Sequence, residues 1–292
     1  MDRQIIGSVA LMFVAMSLIP VGDTAGKLLT TRYGADPFFV AFARFAVGAA
    51  MVALILGGRV HWALYRDWRI WLRAALIAAG IASILTALRT EEIATVFGAF
   101  FVGPIFSYVL SVLFLRERIT ALRTALLLLG FVGVLLVVRP GFGMSPGLGF
   151  AVLAGLFYGA FLTMSRWLSD LAPPRQLMLT QTVLGTVLLA PFGLLDIPQA
   201  TAPVAWLTLL SGVASAAGNL LLVVAYRRSD ATILAPFVYF QLISATALGW
   251  LVFGTFPDAV TLSGLALLIA AGVATVFAAR SVPGAAITDR RG

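Results

Sequence analysis

The chain of 292 residues contains no cysteine and one histidine, His61. Disulfide frameworks, thiolate nucleophiles and cysteine-ligated metal sites are therefore excluded. The lone histidine, beside Arg59 in a polar gap, reads as a solvated side chain. Charge is scarce too: 11% of residues are Asp, Glu, Lys or Arg, against about 25% in soluble domains. So few charges cannot cover a water-facing surface. The twelve acids map to helix ends, gaps or tails, so neither a catalytic carboxylate pair nor a mid-membrane proton carrier is expected. No catalytic residue, metal site or cofactor is predicted.

Apolar residues are abundant. They make up 61% of the chain, and the mean hydropathy is +1.03. At roughly 20 residues per span, the length suits about ten membrane helices. The apolar runs predict helices near 5–29, 37–57, 69–88, 92–114, 120–138, 147–168, 176–195, 203–226, 231–253 and 259–279. The runs lack the period-two alternation of a β-barrel. Arg3 precedes the first run as in a signal peptide, but further spans follow closely, which favours an uncleaved first helix.

The net charge of +8 comes from bases in the gaps, which fits membrane topology better than nucleic-acid binding. With a cytoplasmic N-terminus, fifteen Lys and Arg fall on the inner side and four on the outer, with Arg44 inside a helix. Cytoplasmic excess of base orients membrane proteins. Both termini are thus expected in the cytoplasm of a cell with an inner membrane.

The halves repeat. A shift of 137 places Pro37 on Pro174, Arg44 on Gln181, Gly48 on Gly185 and Ser107 on Ser244; a shift of 139 places Gly133-Val134 on Gly272-Val273. Five helices per half is an odd number, so the second half enters the membrane inverted. The expected architecture is all-α and integral to the membrane, with ten transmembrane helices as two inverted five-helix repeats. Residues 1–140 form the first repeat, 141–282 the second, and 283–292 a cytoplasmic tail. Such duplications build carriers with a mid-membrane site at the repeat interface.

Three motifs carry the resemblance to a family. "ATVFGAFFVGPIFSYVLSVLFLRERIT", Ala94 to Thr120, has a central Pro104 and a terminal Glu117; "GFVGVLLVV" covers Gly130 to Val138 and "ATILAPFVYFQLISA" Ala231 to Ala245. In these segments and in its helix count the chain resembles the drug/metabolite transporter superfamily, in particular its EamA-type ten-helix members. The second half departs from the pattern: Phe256 stands where Glu117 maps, and Gln241 or Leu242 where a second proline would fall. The resemblance implies alternating-access movement of small polar metabolites, often amino acids and often outward, and it suggests Glu117 as a gate residue. Between Arg116 and Arg118, Glu117 also fits a solvated ion pair.

"IPVGDTAGKLL", Ile19 to Leu29, holds an acid and a base one helical turn apart. It is not a phosphate loop, because Gly22 and Gly26 are too close and Leu28 follows Lys27. Asp23 and Lys27 are expected to neutralise each other at i,i+4 near the outer boundary, with a bend at Pro20. They serve as an interfacial pair, an outer gate or a zwitterion site. Arg44, seven residues into helix 2, needs a partner at that depth. Asp23, Glu91 and Glu92 are the candidates, and snorkelling to headgroups is the alternative. Near mid-membrane, Pro104 and Gln241 come from repeat-related helices and define a polar niche. Phe101, Tyr158, Asn219 and Tyr239 are its other candidate lining residues, against the plainer roles of core packing and interhelical bonding.

The function expected is a secondary transporter of small polar metabolites, exporting amino acids including large neutral and aromatic ones. The alternative is an uptake carrier for a vitamin or nucleoside-like cofactor, of the riboflavin or S-adenosylmethionine kind. An embedded enzyme or a scaffold is the alternative of another class. A small-molecule substrate and the lipid bilayer are the expected partners, with the oligomeric state left open.

Overall fold

Capping residues and prolines set the helix starts. Asp36 accepts a hydrogen bond from the Phe38 amide at 2.7 Å ahead of Pro37, and Ser145 accepts one from the Leu148 amide at 3.1 Å ahead of Pro146. Proline costs nothing at the first helical position, where its missing N–H has no acceptor. Gly57 and Gly254, at φ 57° and 68°, close two helices in the left-handed conformation that glycine adopts without strain.

The computed structural model describes residues 3–57, 60–115, 121–139, 145–228 and 234–280. Its helices are α1 (Arg3–Arg32), α2 (Pro37–Leu56), α3 (Trp68–Thr90), α4 (Ile93–Phe100), α5 (Val102–Leu115) and α6 (Ala121–Val138). They continue as α7 (Pro146–Trp167), α8 (Pro174–Gly193), α9 (Ala202–Arg228), α10 (Phe240–Phe253) and α11 (Ala259–Arg280). Short 3-10 turns at Trp62–Arg66 and Ala235–Tyr239 precede α3 and α10. No strand occurs among the described residues.

Helices α4 and α5 together make one span, Ile93–Leu115. Seven stretches are long and apolar enough to cross a membrane, and three shorter apolar helices, Thr124–Val138, Phe237–Phe253 and Ala259–Ala274, complete ten spans. The expected ten-helix inverted repeat is the architecture observed.

Packing obeys the two-fold relation between the repeats. Helix α1 lies along α9 as α3 lies along α7, while α2 pairs with α8 and α6 with α11. Glycines set these contacts. A Cβ added at Gly48 would meet Thr182 at 3.4 Å, and one at Gly185 would meet the Phe45 ring at 2.5 Å. Those four residues exchange under the 137 shift. Likewise a Cβ at Gly80 would lie 3.5 Å from the Ala154 carbonyl oxygen, and one at Gly218 would lie 3.1 Å from that of Ala15. Small residues let backbones approach, and close packing replaces the hydrophobic drive that lipid removes.

The structure corrects two details. Helix α1 runs through Pro20 to Arg32, past the expected end near residue 29, and Asp23 is buried within the protein, at 3% exposure. The fourth span breaks at Phe101, where Pro104 begins the next turn. Proline has no N–H for the carbonyl four residues back, and that freed Phe100 oxygen faces α7 where a Cβ at Gly155 would sit 2.5 Å from it. The ninth span has its own irregular turn at Ala235–Tyr239. The two interruptions face each other, with the Phe101 and Tyr239 rings 5.2 Å apart.

Candidate functional site

A cavity of about 430 Å³ lies between the repeats, within the roughly 300–1,000 Å³ typical of small-molecule sites. Its middle is aromatic. The Phe100 and Tyr158 rings stand 4.9 Å apart and those of Tyr158 and Phe161 stack at 6.0 Å, with Phe97 and Phe101 beside them. Polar groups enter from α8, α9 and α10 as Gln181, Asn219 and Gln241.

One end of the cavity is shut. Arg44 Nη1 donates to Asp23 Oδ1 at 2.7 Å, with both side chains buried. Arg44 also donates to Ser211 Oγ through Nε and Nη2, at 3.3 and 3.2 Å. Ser211 Oγ in turn donates to the Gly22 carbonyl at 2.8 Å. This chain of bonds ties α1, α2 and α9 together. Behind it, Lys27 Nζ donates to the Leu88 carbonyl at 2.7 Å and to the Glu91 carbonyl. These oxygens end α3, where unpaired carbonyls and the helix dipole favour a cation.

The other end is open. Its rim is formed by Ser169 and Pro174, both exposed, at the α7–α8 connection. Just inside, Arg73 on α3 donates from Nε to Ser165 Oγ at 2.8 Å and from Nη1 to the Leu177 carbonyl at 3.1 Å. Its guanidinium carbon lies 4.6 Å from the Phe161 ring centroid.

Of the lining residues expected from sequence, Phe101, Pro104, Tyr158, Asn219 and Gln241 reach this cavity. Asn219 donates along its own helix to the Ser215 carbonyl at 2.8 Å. The Gln241 amide has no hydrogen-bond partner among the described residues although the residue is only 8% exposed. Tyr239 is a correction: its ring covers Gly272 so tightly that an added Cβ would overlap it. It lines instead a smaller cavity of about 170 Å³ between α5, α6 and α11.

Among the charged candidates, Asp23 and Arg44 meet, but Asp23 and Lys27 do not pair. The carboxylate turns across to α2 while the ammonium turns to the end of α3, so the i,i+4 neutralisation is replaced by interhelical bonds. Glu91 and Glu92 do not reach Arg44. The Glu91 carboxylate accepts from Ser145 Oγ at 2.5 Å, and Glu92 begins α4. Glu117 lies outside the described residues.

On the face of the shut end, Arg139 Nη2 donates to both Asp258 carboxylate oxygens at 2.5 Å. Those bonds, with donors from Thr261, hold the Asp258 carboxyl well below the usual carboxylate range.

Sequence reasoning missed Arg73 and Ser211. Arg73 was absorbed into the cytoplasmic base count, yet it stands past the first turn of α3, where a merely topological base is not needed. Ser211 is its repeat partner at a shift of 138. No grouping of His, Cys, Asp and Glu suited to a metal occurs among the described residues.

The chain is similar to known transporters in sequence and to a solved structure in fold. A riboflavin transporter of Brucella anthropi is 26% identical over 281 residues, covering 90% of this chain and 95% of that protein. An S-adenosylmethionine uptake transporter of Rickettsia bellii is 25% identical over 282 residues, covering 92% and 94%. A riboflavin transporter of Rhizobium johnstonii is 29% identical over 216 residues, covering 70% and 69%. A crystal structure superposes with a TM-score of 0.67 at 16% identity, over 95% of this chain and 99% of the other, which shows a common fold. The EamA-like transporter family model matches twice, over residues 6–139 and 145–278. With one match to each repeat and the cavity between them, the chain belongs to the EamA-like transporter family.

Proposed function

We propose that this protein is an uptake carrier for a small polar metabolite bearing a ring, of the vitamin or nucleoside-like cofactor kind. It sits in the inner membrane with both termini in the cytoplasm and works by alternating access. The observation that carries this reading is the aromatic cavity between the repeats, shut by Asp23–Arg44 and open beside Ser169 and Pro174. Stacked rings suit a planar heterocycle, and the Gln241 and Asn219 amides suit its hydrogen-bonding edge. The excess of base at the open side supports an inward-facing state. The names of the bacterial relatives, riboflavin and S-adenosylmethionine carriers, support a cofactor-like substrate over amino-acid export. Rocking the repeats would close the rim and break the Asp23–Arg44 contact.

Counterflow in proteoliposomes tests this with labelled riboflavin, S-adenosylmethionine and a set of amino acids. Accumulation of a ring-bearing cofactor, reduced at least tenfold in Gln241→Ala with normal expression, is the expected result. Accumulation of amino acids alone would replace the reading with amino-acid exchange.

A further inference from the structure

Three charged side chains line the central cavity: Asp23, Arg44 and Arg73. The first two neutralise each other at 2.7 Å. Arg73 has no carboxylate within ion-pairing distance among the described residues, and its residue is 7% exposed. Its partners are a hydroxyl, a carbonyl and a ring, all neutral. Guanidinium stays protonated in proteins, so the cavity retains one uncompensated positive charge in surroundings that are largely apolar.

A buried cation of this kind wants an anion. The bonds to Ser165 and Leu177 fix the guanidinium plane through Nε and Nη1, and Nη2 has no hydrogen-bond partner among the described residues. Its two N–H groups, held in a fixed plane, are placed to donate to the oxygens of a carboxylate or a phosphate. Its position between the rim and the rings of Phe161 and Tyr158 places an anionic group at the entrance when a ring occupies the aromatic middle. We infer that the transported molecule carries a carboxylate or phosphate ester and that Arg73 binds it. This inference rests on the transport reading of the same cavity.

The test compares matched solutes in phosphatidylcholine vesicles: riboflavin with riboflavin 5′-phosphate, and S-adenosylmethionine with its decarboxylated form. For the wild type, counterflow should favour the member that bears the phosphate or carboxylate group, in at least one pair, by tenfold or more. Arg73→Gln should erase that preference, read as the ratio between the two members whatever the overall rate, and Arg73→Lys should restore part of it. Equal handling of both members by the wild type, or an unchanged preference in Arg73→Gln, overturns the assignment. Loss of the preference when phosphatidylglycerol is added would assign Arg73 to a lipid headgroup and also overturn it. A second measurement does not need transport. Inorganic phosphate should raise the melting temperature of detergent-purified wild type, relative to chloride at equal ionic strength, and should not raise that of Arg73→Gln. If no solute moves but this difference is present, the transport reading fails and the anion site stands. If neither protein responds to phosphate, the anion site fails whatever is transported.

Discussion

Arg44 and Asp23, on neighbouring helices α2 and α1, form an ion pair of 2.7 Å with side chains only 5% and 4% exposed. Removing one member of a buried pair strands the other, at a cost of about 3–5 kcal/mol. Asp23→Ala and Arg44→Gln should each lower stability by that order, and the double variant should lose clearly less than the two losses combined. Denaturation in detergent reads this cycle, and strict additivity would show that the two side chains are not coupled. Because the chain has no cysteine, a single cysteine at Ser215 would also report whether Asp23→Asn admits thiol reagents from the shut side.

The glycine contacts predict an order of sensitivity. Gly155→Ala drives a methyl into the Phe100 backbone at 2.5 Å, whereas Gly185→Ala meets only the Phe45 ring, also at 2.5 Å. A ring can turn and a carbonyl in a helix cannot. Gly155→Ala should cost about 1–3 kcal/mol, as overpacking does, and Gly185→Ala less. Gly130, whose nearest neighbour would lie 3.8 Å away, should accept alanine with no loss. Melting temperatures of the three variants check the ranking, and equal losses would argue against the seam.

The exposed Arg139–Asp258 pair predicts a pH dependence. Its arginine holds the Asp258 carboxyl below its ordinary value, so the contribution to stability is present above the unfolded pKa of about 3.9 and is lost as pH falls through the lower folded value. The gap in melting temperature between wild type and Asp258→Asn should be constant from neutral pH down to mildly acidic conditions and should disappear in strong acid. It should also shrink with added salt, since the pair is open to solvent. A gap that grows on acidification would contradict this assignment.

Much of the fold was legible because lipid imposes a simple rule on the chain. Apolar runs of span length must be helical, since no water satisfies the backbone within the bilayer. Helix limits such as Pro37 and Pro174 follow from local chemistry, and both begin helices in the structure. The break at Phe101 was foreshadowed by Pro104, but its place depended on the α7 glycine that receives the freed carbonyl. At the site, Phe101, Tyr158, Asn219 and Gln241 could be chosen by depth alone. Tyr239 has a similar depth and still turns away, because the space over Gly272 accepts its ring.

What the amino-acid sequence determined by itself is the solvent, the number of spans, their duplication and the inverted sense of the second half. All of these follow from composition and periodicity, which act along the chain. Tertiary structure alone decided the partners of the charges. Asp23 has Lys27 one turn away and chooses Arg44 on another helix, while Arg73 reads in the sequence as one more inner-side base near a helix start and lies buried at a cavity mouth. The physical reason is that a side chain's rotation about its helix axis is set by which neighbours pack against it, and those neighbours come from distant parts of the chain.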